Sequence, residues 1–343
     1  MDATRAIGSG PSGNSVQPGP ASDERVTGVG RRTGPMAENR RDNRTWAIVL
    51  AGGDGRRLHQ LSVGLDGRPV PKQYCGFGTG RSLLQRTLAR AERVASADCV
   101  VTVVDRSHHS WWPAELDGQP LDNIMVQPAN RGTAAGVLLP LVELWWRDPD
   151  ATVVILPSDH GVRDEEVLGR ALSHAVDEAS RSSDEVVLLG MTPSSPETGY
   201  GWIVPDAHSA DGQSRRVRYF FEKPDAGVAE ALFLGGALWS SFLMAGRLGA
   251  LLGLYRQALP QLLDAFLGSV RPRGTRPDAG DGGDALHSLY GNLDAADFSR
   301  HVLEAATERL RVMAVPPCGW SDLGTPERLA AFFTWMAPPS IVV

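Results

Sequence analysis

Five apolar residues, Trp46-Ala-Ile-Val-Leu50, run directly into Ala51-Gly-Gly-Asp-Gly55. An apolar run this short, ending in glycines, reads as a strand buried on both faces whose carboxyl end turns tightly. Similar runs recur at residues 99–104, 123–126, 152–156 and 185–190, with helical patterns between them at 82–94, 133–146 and 165–181. Pro140 is expected to kink or shorten the second helix, because it removes an internal hydrogen bond. Strands alternating with helices predict an α/β fold, a mainly parallel sheet covered on both faces. From residue 201 the strands crowd together, near 201–204, 216–221 and 237–244, which predicts an added antiparallel or mixed section. A mostly helical region follows from about residue 246, broken by a Gly/Pro/Asp-rich loop at 271–284.

Residues 1–44 are rich in Gly, Pro, Ser and Arg and lack an apolar face, so they are expected to form a disordered tail. Residues 45–343 then form one domain. The tail lacks the apolar core of a secretory signal, and no apolar stretch is long enough for a membrane helix. A net charge of −6 argues against a nucleic-acid partner. Three widely spaced cysteines form no metal or redox pattern, which suits a reducing cytoplasm.

The chain holds 32 arginines and two lysines, Lys72 and Lys223. Where arginine supplies nearly all positive charge, a lysine marks a place that needs a compact ammonium. Lys72 lies in Val70-Pro-Lys-Gln-Tyr74 and Lys223 in Phe221-Glu-Lys-Pro-Asp225.

The glycine loop allows backbone amides to approach a phosphate or ribose, and Arg56 and Arg57 can add charge-assisted hydrogen bonds. It matches neither G-x-G-x-x-G nor the P-loop. Asp159 closes a strand at the carboxyl end of the sheet, where it suits a Mg²⁺ ligand or a helix cap. Asp322, in Trp320-Ser-Asp-Leu-Gly-Thr325, has the same two readings. Glu222, beside Lys223, can form with it an exposed ion pair of little energetic weight. His160 is read as a packing or orienting residue. The other histidines and the tryptophans are assigned to packing.

Taken in order, Leu50-Ala-Gly-Gly-Asp-Gly-Arg-Arg-Leu58, Pro71-Lys-Gln73, Gln127-Pro-Ala-Asn-Arg-Gly-Thr-Ala134, Pro157-Ser-Asp-His160, Glu197-Thr-Gly-Tyr-Gly201, Phe221-Glu-Lys-Pro224 and the Trp320 segment resemble the sugar-1-phosphate nucleotidyltransferases. The Pro-Lys-Gln segment is similar to that of the mannose-1-phosphate guanylyltransferases. The resemblance implies a Rossmann-like fold of the nucleotide-diphospho-sugar transferase type. It implies transfer of GMP from GTP to mannose 1-phosphate with Mg²⁺ as cofactor. Arg57 and Lys72 would be catalytic. Leu50, Ala51, Gly52, Gly53, Gly55, Gln127, Gly132 and Thr133 would bind the nucleotide. Gly199, Gly201, Glu222, Lys223 and Ser240 would bind the sugar phosphate, and Asp159 and Asp322 the metal. The implied partners are these two substrates, with a homodimer as one option for assembly.

This chain departs from the family pattern at several positions. Arg56 stands where many members have threonine, and Gln127 where guanylyltransferases often have glutamate. Trp239-Ser-Ser-Phe242 replaces Trp-Asn-Ser-Gly. A UTP- or dTTP-dependent enzyme acting on another hexose is therefore the alternative, beside a catalytically silent binding protein of the same fold. Neither an isomerase domain nor a left-handed β-helix is expected after Val343.

Overall fold

A computed structural model describes residues 44–55, 62, 67, 69–77, 80–207, 214–270 and 281–336. The described residues belong to one unit, Asp42–Val343. The expected tail, except Arg44, lies outside the described residues, as do Arg56 and Arg57.

Four parallel strands form one half of the sheet in the order β3-β2-β1-β4: β1 (Thr45–Ala51), β2 (Val100–Asp105), β3 (Ile124–Gln127) and β4 (Thr152–Pro157). Every residue of β2 and β4 is buried. That explains their unbroken apolar runs, since a strand covered on both faces has no solvent side to make polar. The other strands are β5 (Val186–Met191), β6 (Gly201–Pro205), β7 (Arg215–Glu222), β8 (Leu238–Arg247) and β9 (Leu310–Val315). They complete one nine-stranded sheet, β3-β2-β1-β4-β8-β5-β9-β7-β6. β8 enters antiparallel between β4 and β5, so the sheet is mixed.

The helices are α1 (Leu83–Ala91), α2 (Trp112–Glu115), α3 (Gly132–Arg147), α4 (Glu165–Arg181), α5 (Ala226–Leu234), α6 (Leu248–Ala258), α7 (Pro260–Ser269), α8 (Asp281–Asn292) and α9 (Pro326–Met336). They cover both faces of this α/β fold. α1 is tied to α4 by Arg90, whose guanidinium forks onto Glu165 at 2.8 and 2.9 Å, and α3 packs with α6 and α7. Among the described residues no helix is long and apolar enough to cross a membrane.

Three expectations need correction. α3 is not shortened at Pro140 and spans Gly132–Arg147. Its turns on either side of the proline are buried in the core, and that packing offsets the lost hydrogen bond. Residues 281–284, expected in a loop, open α8, while 271–280 lie outside the described residues. β9 lies within the stretch read as helical. It pairs with β5 on one side and β7 on the other, and these distant partners determine its conformation.

Candidate functional site

The carboxyl ends of β1, β2, β3 and β4 meet where strand order reverses, the position at which open α/β sheets bind ligands. The glycine loop follows β1, and its shape depends on the segment around Lys72. Gln73 Nε2 donates to the carbonyls of Ala51 and Gly53, both at 2.9 Å, and the Tyr74 hydroxyl donates to Ala51 at 3.2 Å. Gly55 has φ +61°, and a Cβ there would lie 3.0 Å from the Lys72 amide. The glycine is needed for both conformation and space.

Leu50, Gly52, Gly53, Gln127, Gly132 and Thr133 line one cavity of about 560 Å³. Ala51 and Gly55 shape the loop beside it. At Gly52 a Cβ would fall 2.5 Å from Gln127 Nε2, so the side-chain amide packs directly against the loop. Gln127 is buried, and Tyr290 donates to its Oε1 at 3.3 Å. The start of α3 is clamped to a distant segment. Ala134 N–H donates to the Ala296 carbonyl at 3.0 Å, and Phe298 N–H to Thr133 Oγ1 at 2.7 Å. Gly132, at φ +81°, lies beneath Ala296, where a Cβ would meet its carbonyl at 2.3 Å.

A second cavity of about 290 Å³ is lined by Gly199, Gly201, Glu222, Lys223, Ser240 and Asp322, with Tyr200, Trp320 and Phe242 among its aromatic walls. Pairing of β6 with β7 sets Gly201 opposite Glu222, and a Cβ on Gly201 would approach Glu222 Oε2 to 2.8 Å. Glu222 and Lys223 line both cavities. The Lys223 ammonium pairs with the Glu222 carboxylate. Burial raises the Glu222 carboxyl above its ordinary range, and the neighbouring Lys223 only partly offsets this.

Lys223 holds φ +52°, Phe242 +59° and Leu323 +50°. Non-glycine residues adopt this region at a cost of roughly 1–2 kcal/mol; Lys223 and Phe242 line the smaller cavity, and Leu323 follows Asp322 in its wall. Such strain collects where a site must hold its shape. Lys223→Gly is therefore expected to leave stability unchanged or raise it by up to about 1 kcal/mol, while use of the substrate in this cavity falls. Thermal melts beside kinetics would check this, and a clear drop in melting temperature would refute the strain argument.

Neither Lys72 nor Asp159 lines either cavity. Lys72 is buried, with Nζ 2.9 Å from Asp159 Oδ2 and donating to the Asp322 carbonyl at 2.5 Å. Withdrawal from water would raise the Asp159 pKa, but Lys72 and then His160 outweigh it and hold the carboxyl below its usual range. Burial lowers the His160 pKa. Its Nδ1 accepts from Trp320 Nε1 at 3.3 Å, leaving Nε2 facing Asp159 Oδ1 at 3.6 Å.

Among the described residues no cluster of three or more His, Cys, Asp or Glu is arranged to hold a metal. Mg²⁺ commonly takes one or two carboxylates, with waters and substrate phosphates completing its shell. Asp159 fits that role, since its side chain is 39% exposed and Oδ1 has no close donor at His160. Asp322 fits poorly. Its Oδ1 accepts from Tyr200, Gly324 and Arg328.

Sequence reasoning missed several of these residues. Arg300 and His301 face the larger cavity from a π-helical turn, Ser299–Leu303, a feature often found at functional sites. His301 and Trp320 thus line cavities where packing roles were expected. Arg328 carried no signal among 32 arginines. Trp320 and Tyr200 could have been found, since both lie inside the quoted motifs.

The profile described as Nucleotidyl transferase matches residues 46–335. The chain is 32% identical over 288 residues to the alginate biosynthesis protein AlgA of Pseudomonas syringae pv. tomato, covering 81% of this chain and 56% of that protein. It is 31% identical over 296 residues to the mannose-1-phosphate guanylyltransferase of Escherichia coli K12, covering 82% and 58%. The chain thus spans a little over half the length of these relatives. A Thermus thermophilus structure described as mannose-1-phosphate geranyltransferase superposes with a TM-score of 0.70 at 28% identity, covering 85% of this chain and 79% of that one.

Proposed function

The chain belongs to the nucleotidyl transferase family, and on that premise we propose that it transfers GMP from GTP to mannose 1-phosphate, releasing pyrophosphate. The observation that carries this reading is the pair of adjoining cavities with Glu222 and Lys223 as their common wall. A two-substrate transfer needs its reactants held on either side of one reacting centre. The larger cavity, walled by the glycine loop and the start of α3, would take the nucleotide. The smaller would take the sugar, with Glu222 accepting from its hydroxyls.

In this reaction an oxygen of the sugar phosphate forms a bond to the α-phosphorus of the nucleotide. The bond from that phosphorus to the β-phosphate oxygen breaks, and pyrophosphate leaves with the electron pair. A phosphate monoester is mostly dianionic at neutral pH, so the nucleophile needs no strong base. Catalysis is then mainly positioning and charge neutralisation. Lys223 would hold the attacking phosphate at the common wall. Arg57 would steady the departing pyrophosphate. Lys72, which lines neither cavity, would act through Asp159. Mg²⁺ held at Asp159 would neutralise charge on the reacting phosphates.

Pyrophosphate release measured over a panel of nucleotides and sugar 1-phosphates tests the assignment. GTP with mannose 1-phosphate is expected to be fastest. Preference for UTP or dTTP with another hexose would correct the substrates, and binding without release would overturn the enzyme reading.

The state of Glu222 gives a pH prediction. Its raised pKa means that the proton arrives at a higher pH than the roughly 4.3 of an ordinary glutamate. The KM for sugar phosphate is therefore expected to rise as pH falls through that window by more than protonation of the substrate's own phosphate, at about pH 6, accounts for, and Glu222→Gln removes that added rise. For stability the sign is opposite. The folded chain takes up this proton before the unfolded chain, so the cost of burying the carboxylate at neutral pH disappears as pH falls. Identical pH profiles of KM in the parent protein and in Glu222→Gln would refute the role given to Glu222.

A further inference from the structure

The proposed transfer reaction requires a divalent ion, and the next question, which rests on that reading, is which residues hold it. Asp159 and Asp322 both lie beside Lys72, but their surroundings differ. Among the described residues Asp159 has one close cation, Lys72, and its Oδ1 faces His160 at 3.6 Å, beyond hydrogen-bond range. Asp322 is turned back onto its own loop. Its Oδ1 accepts from Gly324 N–H at 2.9 Å, Tyr200 Oη at 3.0 Å and Arg328 Nη1 at 3.0 Å. One carboxylate oxygen, with two lone pairs, thus already serves three donors. Its Oδ2 takes the same Arg328 nitrogen at 3.1 Å and lies against Gly324, where an added Cβ would be 2.3 Å away.

Arg328 is itself firmly fixed. It sits in the first turn of α9, where its amide donates to Thr325 Oγ1 at 3.3 Å. Nη2 donates to Glu197 Oε2 at 2.6 Å, and the guanidinium lies 4.2 Å from the centroid of the Tyr200 ring. The side chain is 17% exposed. A divalent ion on Asp322 would have to sit beside this cation or expel it from Asp322, Glu197 and Tyr200 together.

We infer that the divalent ion is held by Asp159 and the substrate phosphates, without Asp322, and that Arg328 and Asp322 are positioning residues. Together they fasten Glu197 and Tyr200, in the segment that walls the smaller cavity, to the loop at 320–325. The guanidinium supplies there a fixed positive charge, independent of ion concentration. Asp322 acts on the substrate cavity through Tyr200 and its own backbone.

The test is Mn²⁺ binding to the full chain saturated with mannose 1-phosphate, whose phosphate completes the site, read from the electron paramagnetic resonance signal of free Mn²⁺. Asp159→Asn is expected to weaken binding about tenfold or more, Asp322→Asn to change it less than about twofold, and Arg328→Gln to tighten it about threefold or more by releasing Asp322. The double variant Arg328→Gln/Asp322→Asn should return to the parent affinity. A merely structural Arg328 would not tighten metal binding when removed. Equal weakening by Asp159→Asn and Asp322→Asn would overturn the inference, as would no change in any variant. If Arg328→Gln fails to fold, the contrast between the two near-isosteric Asp→Asn variants decides. Pyrophosphate release by the parent protein tests the underlying reading separately. Release with equal loss of Mn²⁺ in both aspartate variants would sink this inference alone, and no release would sink the reading beneath it.

Discussion

Asp159→Asn is expected to lower kcat about a hundred- to a thousandfold, the size of effect that follows loss of one charge-stabilising group from an active site. The protein should stay folded. Asparagine is nearly isosteric with aspartate, and the Lys72 ammonium keeps the carbonyls of Asp322 and Leu323, at 2.5 and 3.4 Å, as acceptors. Pyrophosphate release, with circular dichroism as a check on folding, measures the effect. A rate near that of the parent with unchanged metal dependence would remove Asp159 from the reaction.

The second large effect concerns the two lysines. Lys72→Arg and Lys223→Arg both preserve charge, so a role in general surface electrostatics predicts almost no change. The structure predicts loss from each by a different route. Lys72 is buried between Asp159 and the carbonyls of Asp322 and Leu323, and a guanidinium fork has no room there. Displacing Asp159 by about 1 Å could cost around a hundredfold in rate. Lys72→Arg should therefore lower kcat with either substrate varied. Lys223 is 43% exposed at the wall between the cavities. Lys223→Arg should mainly raise KM for the sugar phosphate and leave KM for the nucleotide close to that of the parent. Two variants with parent-like kinetics would reduce both lysines to accidents of composition.

The rarity of lysine made these positions visible in the sequence, but it could not name their partners. Lys72 was expected to be catalytic, and its ammonium lies on Asp159, because the turn Lys72–Tyr74 directs Gln73 and Tyr74 to the glycine loop. Strands β1 to β5 were readable because burial on both faces writes a continuous apolar run. β9 was not, since its pattern, Leu310-Arg-Val-Met-Ala-Val315, is short and its pairing partners lie far along the chain. The smaller cavity was largely legible because its walls come from short motifs at strand ends. The far wall of the larger cavity was not. Asp297, Arg300 and His301 reach it through the clamp between Ala296 and α3, a contact that no local spacing encodes.

The position of β9 has a consequence for how the protein is made. Among the described residues it is the last strand in chain order, yet it lies inside the sheet between β5 and β7. Until residue 315 has left the ribosome, the strand pairing that joins the β6–β7 hairpin to the sheet is the short β6–β8 pairing at Trp202↔Trp239 and Ile203↔Leu238. Glu222 and Lys223, at the end of β7, would lack a settled frame for most of synthesis, because non-local strand pairing waits on the closure of long loops. The half of the sheet built from β1 to β4 can assemble well before then. Stalled nascent chains released at successive lengths should thus gain protease resistance in two steps, first around residues 45–157 and later, beyond residue 315, around 201–222. Protection of both regions in a single step would show that the sheet closes only as a whole.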